Sequence, residues 1–101
     1  MPAIVDAARR THILDGDVTS GGHRAGTGKP GKSEFPASWT DDEVIVRIEE
    51  VANDSHSFRR SGRRGRTVVS GTRHGVDIEV VIESNGTHIV TGYPTNIGRN
   101  P

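Results

Sequence analysis

The residue types best suited to acid–base chemistry are concentrated between positions 12 and 36. This polar, glycine-rich segment contains His12, His23 and the only two lysines of the chain, Lys29 and Lys32. Two histidines can share proton transfer near neutral pH, and a lysine can neutralise the charge of a phosphate. Because a segment of this composition contributes little to a core, it is predicted to be a catalytic loop, and the chemistry that fits it is phosphodiester cleavage.

Length and composition define the class of protein. A chain of 101 residues with 31% hydrophobic residues predicts one domain, 1–101, with a modest core. The absence of cysteine excludes disulfides and thiolate metal sites. The sequence contains no apolar run long enough to span a membrane, and its first fifteen residues lack the apolar stretch of a signal peptide. We therefore expect a piece of a longer polypeptide that carries the export signal elsewhere.

Charge is unevenly distributed although the net charge is +0. Five arginines occur within eight positions, namely Arg59, Arg60, Arg63, Arg64 and Arg66. This cluster is predicted either to contact a phosphate backbone, with Arg63 and Arg64 as substrate-binding candidates, or to form a solvated loop. The acidic residues between positions 41 and 54 are expected to form a solvated helix face, with a basic partner protein as the alternative.

Two helices are predicted before any strand. Residues 3–14 favour a short amphipathic helix whose apolar side chains are Ile4, Val5, Ala8 and Leu14. A second helix is expected over about 41–53, because Thr40 and Glu43 form a capping-box pattern and apolar residues then recur with helical spacing. Its predicted buried face consists of Val44, Ile48, Val51 and Ala52, with Trp39 packing ahead of the cap.

The period of apolar residues changes to two over about 66–95, which predicts a sheet of three or four strands. Asn85-Gly86 is typical of a two-residue hairpin turn with positive φ at both positions, and His74-Gly75 is a weaker signal of the same kind. The first turn predicts cross-strand pairs Ile82–Ile89, Val80–Thr91 and Ile78–Tyr93. The expected fold class is α+β, with two N-terminal helices packed on a small antiparallel sheet.

Thr91 and Tyr93 are two residues apart on one predicted strand, so their side chains face the same way. A hydroxyl group and an aromatic ring on one face can hydrogen-bond and stack a nucleobase. The alternative is that Tyr93 covers the core and Thr91 only favours strand structure. His56, His74 and His88 are expected to have no functional role, because they occupy predicted loop, turn and solvated strand positions.

Several short motifs follow one another along the chain. They are His12-Ile-Leu-Asp-Gly-Asp, Gly21-Gly22-His23-Arg24, Gly31-Lys32-Ser33-Glu34-Phe35-Pro36, Ser38-Trp39 and Thr91-Gly92-Tyr93-Pro94. Together they resemble the bacterial EndoU nuclease domain, the toxin version of the uridylate-specific endoribonuclease family. The similarity extends from about residue 10 to 95. It implies a barnase-, EndoU- or RelE-like ribonuclease fold.

The resemblance also implies the roles of individual residues. The family's two histidines match His12 and His23, and its late Ser/Thr-x-Tyr pair matches Thr91 and Tyr93. Lys32 is the better match to the family's lysine, although that lysine lies farther downstream in many relatives. The expected roles are base for His23 and acid for His12.

Further positive charge near the phosphate has several candidate sources. They are Lys29, Arg24 and the arginines of the 59–66 segment. No metal or other cofactor is expected, because attack by the 2′-hydroxyl group of RNA needs only an acid, a base and charge stabilisation.

The expected function is a metal-independent endoribonuclease that cleaves RNA, with tRNA as one candidate, near uridines to leave 2′,3′-cyclic phosphate ends. The resemblance implies a domain exported as the C-terminal part of a larger toxin, acting in the cytoplasm of the target cell. We expect the domain to be a monomer. The resemblance also implies a cognate immunity protein. Two alternatives remain open. One is a metal-dependent phosphodiesterase using His12, Asp15, Asp17 and His23, and the other is a non-catalytic RNA-binding module.

Overall fold

The computed structural model describes residues 2–16 and 21–101 and shows an α+β domain with two helices and a four-stranded antiparallel sheet. The helices are Ala7–Leu14 (α1) and Asp41–Asn53 (α2), and the strands are Phe58–Ser61 (β1), Thr67–Arg73 (β2), Val76–Ile82 (β3) and Ile89–Pro94 (β4). The strands lie in the order β1-β2-β3-β4. The predicted α+β class is confirmed. No helix in the described ranges is long and apolar enough to cross a membrane.

Helix α2 agrees with its prediction because its signals are local. The hydroxyl oxygen of Thr40 accepts a hydrogen bond from the Glu43 amide at 3.1 Å, which satisfies one of the free amides at the helix start. All four apolar residues predicted for the buried face are buried, together with Ile45. This face packs on the sheet. A methyl group at Gly92 of β4 would lie 2.8 Å from the nearest carbon of Ile48, so Gly92 permits the close approach.

Helix α1 is shorter than predicted. It begins at Ala7, where Asp6 caps it by accepting from the Arg9 amide at 2.8 Å. Residues before Asp6 are instead extended, and Ile4 forms a parallel bridge with His88. The predicted apolar face is wrong at Ile4 and Ala8, which are exposed, and is confirmed at Leu14, which is buried. The β-branched Ile4 and Val5 suit an extended segment better than a first helical turn, and the residues that α1 buries are His12, Ile13 and Leu14.

The two predicted turns differ in geometry. His74-Gly75 forms the two-residue turn, with φ values of 50° and 77° and with Arg73 paired to Val76. At Asn85-Gly86 only the glycine has a positive φ, and the amide of Glu83 bonds to the carbonyl of His88 at 2.9 Å. The prediction of positive φ at Asn85 is therefore wrong. Its side-chain oxygen accepts from the Thr87 amide at 2.9 Å, which stabilises a longer loop.

A β-bulge in β4 changes the predicted register. Ile82 pairs with Ile89 as expected, but Thr91 lies opposite Val81 and Tyr93 opposite Glu79. The predicted pairs with Val80 and Ile78 are thus wrong by one residue. Because side chains alternate between the faces of a strand, a shift of one residue moves both side chains to the other face. Thr91 and Tyr93 consequently share a face, as predicted, but it is the face opposite α2.

Strand β1 was expected to be part of a loop, since the predicted sheet begins near residue 66. The four β1 residues are all exposed, so they lack the alternation of apolar residues that marks a half-buried strand. We call the sheet face opposite α2 the outer face. Its side chains form two rows across the strands, Phe58–Ser70–Glu79–Tyr93 and Arg60–Val68–Val81–Thr91.

Candidate active site

The end of α1 and the segment that carries His23 lie side by side. The amides of residues 22–24 donate to the carbonyls of residues 12–14, at 3.1, 2.7 and 3.0 Å. These bonds satisfy carbonyl groups that a helix end leaves free. Only glycine fits at position 21, because its φ is 90° and an added methyl group would lie 1.9 Å from the His12 carbonyl oxygen. Backbone contacts thus bring His12 and His23 together.

His23 has the geometry of a proton acceptor. Its ring is buried, and Nδ1 lies 2.7 Å from the carbonyl oxygen of Ser33. A carbonyl oxygen can only accept, so Nδ1 carries the proton and the neutral ring has its lone pair on Nε2. Burial lowers the pKa of His23 below 6.5, and the charges of Lys32 and His12 act in the same direction. His23 is therefore neutral, and basic at Nε2, near neutral pH.

Three other predicted catalytic residues meet His23 at a cleft of about 240 Å³. The cleft is lined by Gly21, His23, Gly31, Lys32, Ser33, Thr91, Tyr93 and Arg99. Four of the predicted catalytic residues are therefore in one place, although they come from two distant parts of the chain. The rings of Tyr93 and His23 lie next to each other, with centroids 5.7 Å apart and planes inclined by 33°.

His12 lies next to this group but not in the wall of the cleft. It is in the last turn of α1 with 4% of its surface exposed. Its charge is close enough to His23 to contribute to the lowered pKa of that residue. The structure brings the two predicted histidines together, and the acid role of His12 stays a prediction.

Tyr93 is held by Glu79, which the sequence did not suggest, and Glu79 in turn pairs with Arg60. The Tyr93 hydroxyl group donates to Glu79 Oε1 at 2.5 Å, and the same carboxylate oxygen lies 3.2 Å from Arg60 Nη2. Burial raises the pKa of Tyr93 to about 12, with a further contribution from the bond to Glu79. Tyr93 therefore keeps its proton and acts as a hydrogen-bond donor. The predicted register placed Tyr93 beside Ile78, which is why Glu79 was missed.

The cleft contains a second positive group besides Lys32. This group is Arg99, which the sequence did not suggest. It arrives from the C-terminal segment, where it forms an antiparallel bridge with Ser33. The Gly31 amide donates to the Asn100 carbonyl and the Asn100 amide donates to the Lys32 carbonyl, both at 2.8 Å. These bonds place Arg99 and Lys32 at the same cleft. No motif marked Arg99, because its position depends on a contact between distant segments.

Hydrogen bonds to Glu34 hold the glycine-rich loop in place. The Glu34 carboxylate accepts from the amides of Gly26 and Gly28 and from the side chain of Asn100, each at 2.8 Å. The bond from Gly26, followed by those from Asn100 and Gly28, lowers the pKa of Glu34. One carboxylate thus ties the loop to the segment that carries Arg99.

Arg24 lies outside the cleft and connects the two helices. Its guanidinium donates through Nε and Nη2 to the two carboxylate oxygens of Asp41, both at 2.9 Å, and also pairs with Asp15. The hydrogen bond to Asp41 is the main reason that the pKa of Arg24 is raised. This arrangement indicates a structural contact between α1 and α2.

Lys29, Arg63 and Arg64 are also absent from the cleft wall. The Lys29 side chain covers Gly16 and Gly22, where an added methyl group would lie 2.7 and 2.6 Å from its atoms. Arg63 and Arg64 are exposed in the turn between β1 and β2. The structure therefore does not bring these substrate-binding candidates to His23.

The proposed metal ligands do not form a group within residues 2–16 and 21–101. Three or more histidine, aspartate or glutamate side chains able to hold one metal ion are not found together there. Asp15 pairs with Arg24, and Asp17 lies outside the described residues. Of the remaining histidines, His74 occupies a turn and its ring meets Trp39 edge to face at 6.5 Å.

Comparison with known proteins identifies the family. A model of the family described as bacterial EndoU nuclease matches residues 26–96, which is more than half of the chain. The matched range includes Lys32, Thr91 and Tyr93 and begins after His23. No match was found among curated proteins or among solved structures. The chain belongs to the bacterial EndoU nuclease family.

Proposed function

We propose that this nuclease is a metal-independent endoribonuclease that cleaves RNA near uridines. The observation that carries the proposal is His23, whose buried ring presents a basic Nε2 in a cleft that also contains Lys32 and Arg99. A base beside two positive groups suits attack by the 2′-hydroxyl group, which needs proton removal and stabilisation of a doubly charged phosphorane. The domain is also proposed to share the ribonuclease fold of barnase- and RelE-like proteins.

Each step of the reaction has a proposed residue. His23 Nε2 removes the proton of the 2′-hydroxyl group, the 2′-oxygen attacks phosphorus, and the bond from phosphorus to the 5′-oxygen breaks. Lys32 and Arg99 stabilise the charge that develops on the phosphate. His12 gives a proton to the leaving 5′-oxygen, which completes the balance and leaves a 2′,3′-cyclic phosphate.

Recognition of uridine is assigned to the outer face of β4. The Thr91 hydroxyl group lies at the cleft and can hydrogen-bond the edge of a uracil. Tyr93 has a protonated hydroxyl group and a fixed ring, so it can stack on the base or orient the sugar.

The biological setting rests on the resemblance to toxin domains of this family. We propose a monomeric domain that forms the C-terminal part of an exported toxin and acts on RNA, with tRNA as one candidate, in the cytoplasm of the target cell. A cognate immunity protein would protect the producing cell. Expression of the domain with and without neighbouring genes of the producer, followed by growth measurements, tests this setting separately from the chemistry.

The chemistry is tested with an oligoribonucleotide that contains one uridine. We expect cleavage after the uridine, a 2′,3′-cyclic phosphate end, resistance when 2′-deoxyuridine replaces the uridine, and unchanged activity with a chelator. Fragments with 3′-hydroxyl and 5′-phosphate ends that require a divalent ion would favour the metal-dependent alternative. RNA binding without fragments would favour the non-catalytic one.

A further inference from the structure

The outer face of the sheet carries an exposed aromatic side chain in line with the cleft. Phe58 of β1 is 67% exposed, the most exposed of the large hydrophobic residues in the described ranges. It shares the row Phe58–Ser70–Glu79–Tyr93 with a cleft residue. An exposed phenylalanine on an edge strand adds nothing to the core, and exposed apolar side chains on edge strands favour aggregation. The exposed position of Phe58 on an edge strand is therefore suited to contact with a ligand.

We propose that Phe58 is a second base-binding position, which stacks a base of single-stranded RNA outside the catalytic cleft. This inference rests on the proposed function, because the RNA that reaches Phe58 is the one held at His23. Phe58 and Tyr93 are separated by three strand spacings, or about 14 Å. That separation is more than one nucleotide of extended RNA covers, so Phe58 would hold a base beyond the nucleotides flanking the cleavage site.

The charges around Phe58 favour RNA as the ligand. Arg60 lies on the same face, two residues away, and it keeps 47% of its side chain exposed although it pairs with Glu79. Arg63 and Arg64 are exposed in the turn that follows β1. An aromatic ring on a strand that leads into a turn with exposed guanidinium groups matches the pattern of proteins that bind single-stranded nucleic acid, in which rings stack on bases and cations contact the backbone.

A second binding position at Phe58 would also give Arg63 and Arg64 a role in RNA binding, although neither residue lines the cleft. Arg63 and Arg64 are absent from the cleft wall, but they lie at the end of the strand that carries Phe58. RNA that crosses the sheet from the cleft to Phe58 and then continues along β1 would come close to them. The proposal therefore predicts that substrate length, and not only the base at the cleavage site, determines affinity.

The test compares a long and a short ligand. Binding of a fluorescent 2′-O-methyl oligouridylate, which lacks the attacking hydroxyl group, is measured by anisotropy, and cleavage is measured on a long oligouridylate and on the dinucleotide UpA. Phe58→Ala should weaken binding and lower kcat/KM on the long substrate by about 5- to 150-fold, the range for one base–aromatic stack. It should leave the dinucleotide unaffected, and Phe58→Trp should retain the wild-type values.

The matched control is Val46→Ala, which truncates another exposed hydrophobic side chain, located on α2. It should change none of these values. Unchanged binding of the long oligonucleotide by Phe58→Ala would overturn the proposal and favour a protein ligand for this surface. Equal losses on long and short substrates would also overturn it. Because the 2′-O-methyl ligand is not cleaved, failure of the wild type to cut RNA would reject the proposed reaction while the binding comparison still decides the role of Phe58.

Discussion

The hydroxyl group of Tyr93 donates a 2.5 Å hydrogen bond to the carboxylate of Glu79 on the neighbouring strand. The two residues are direct cross-strand partners on the outer face of the sheet. This bond fixes the tyrosine beside His23, with the ring centroids 5.7 Å apart. Tyr93 is therefore held by polar contacts at a cleft rather than by the core, and the consequence is testable.

Truncation of Tyr93 should affect activity more than stability. Tyr93→Ala should lower kcat/KM for uridine-containing RNA strongly, because the ring at the cleft is lost. Its free energy of unfolding should change less than that of Ile78→Ala, since Ile78 is fully buried and such a truncation costs about 2–5 kcal/mol. Kinetics and chemical denaturation of both variants check this. A loss of stability in Tyr93→Ala that equals the Ile78 value would assign the tyrosine to the core.

Removal of the Thr91 hydroxyl group should change specificity. Thr91→Val keeps the shape of the side chain and its place in the cleft but cannot hydrogen-bond a base. We expect the ratio of kcat/KM for uridine over cytidine substrates to fall while cleavage continues. Measurement on matched dinucleotides checks this, and an unaltered ratio would contradict the assigned role in base recognition.

The lowered pKa of His23 should be visible in two pH dependences. The acidic limb of kcat/KM should lie below pH 6.5, because the base becomes protonated only below its usual range. Stability should also fall as pH decreases from about 6.5 towards the folded pKa, since the unfolded chain binds the proton more readily in that window. Above about pH 6.5, the contribution of His23 to the free energy of unfolding does not change with pH.

His23→Gln provides the comparison for both measurements. It should lower activity by at least about 10²-fold, the effect of losing a general base. Its stability curve should lack the part of the pH dependence that His23 contributes. An acidic limb above pH 6.5 in the wild type would contradict the role of burial at this residue.

His12 is buried, so its variant needs a stability measurement beside the kinetic one. His12→Ala should lower kcat/KM by about 10²-fold or more if His12 supplies the proton to the leaving oxygen. Cleavage of a substrate with a better leaving group should recover much of this loss, which a purely structural defect would not allow. His74→Ala, in a turn away from the cleft, should be nearly as active as the wild type. Equal losses at both histidines would indicate a folding defect.

Two glycines with the same backbone conformation allow a matched test of the contact between α1 and the catalytic segment. Gly21 and Gly26 have φ values of 90° and 92°, but an added methyl group meets the His12 carbonyl oxygen only at Gly21. Both alanine variants carry the strain of positive φ. Gly21→Ala should therefore lose far more activity than Gly26→Ala, because the backbone beside His23 must move. Similar activities would show that this contact does not position His23.

The sequence predicted those elements whose signals are local. The Thr40 cap and the apolar spacing of α2 suffice for that helix, and the positive φ of His74-Gly75 follows from a turn signal two residues long. The grouping of His23, Lys32, Thr91 and Tyr93 was also predictable, although through the family resemblance and not from spacing. Local patterns and a set of ordered motifs thus account for most of the cleft.

The parts that were missed depend on contacts between distant segments. The bulge in β4 determines which face Thr91 occupies, and a turn pattern at residues 85–86 contains no information about an extra residue at position 90. Strand β1 is exposed at every position, so no apolar alternation marks it. Arg99 and Glu79 enter the site only through pairing with Ser33 and Tyr93.

The bridge between Ser33 and Arg99 has a consequence for the timing of activity. During synthesis the ribosome produces His23, Lys32 and the whole sheet before Arg99 and Asn100, which complete the cleft and hold its loop. We expect a chain ending at Gly98 to form the sheet but to cleave RNA poorly, as circular dichroism and a cleavage assay would show. A nuclease assembled in this order has no complete cleft until residues 99 and 100 have emerged from the ribosome.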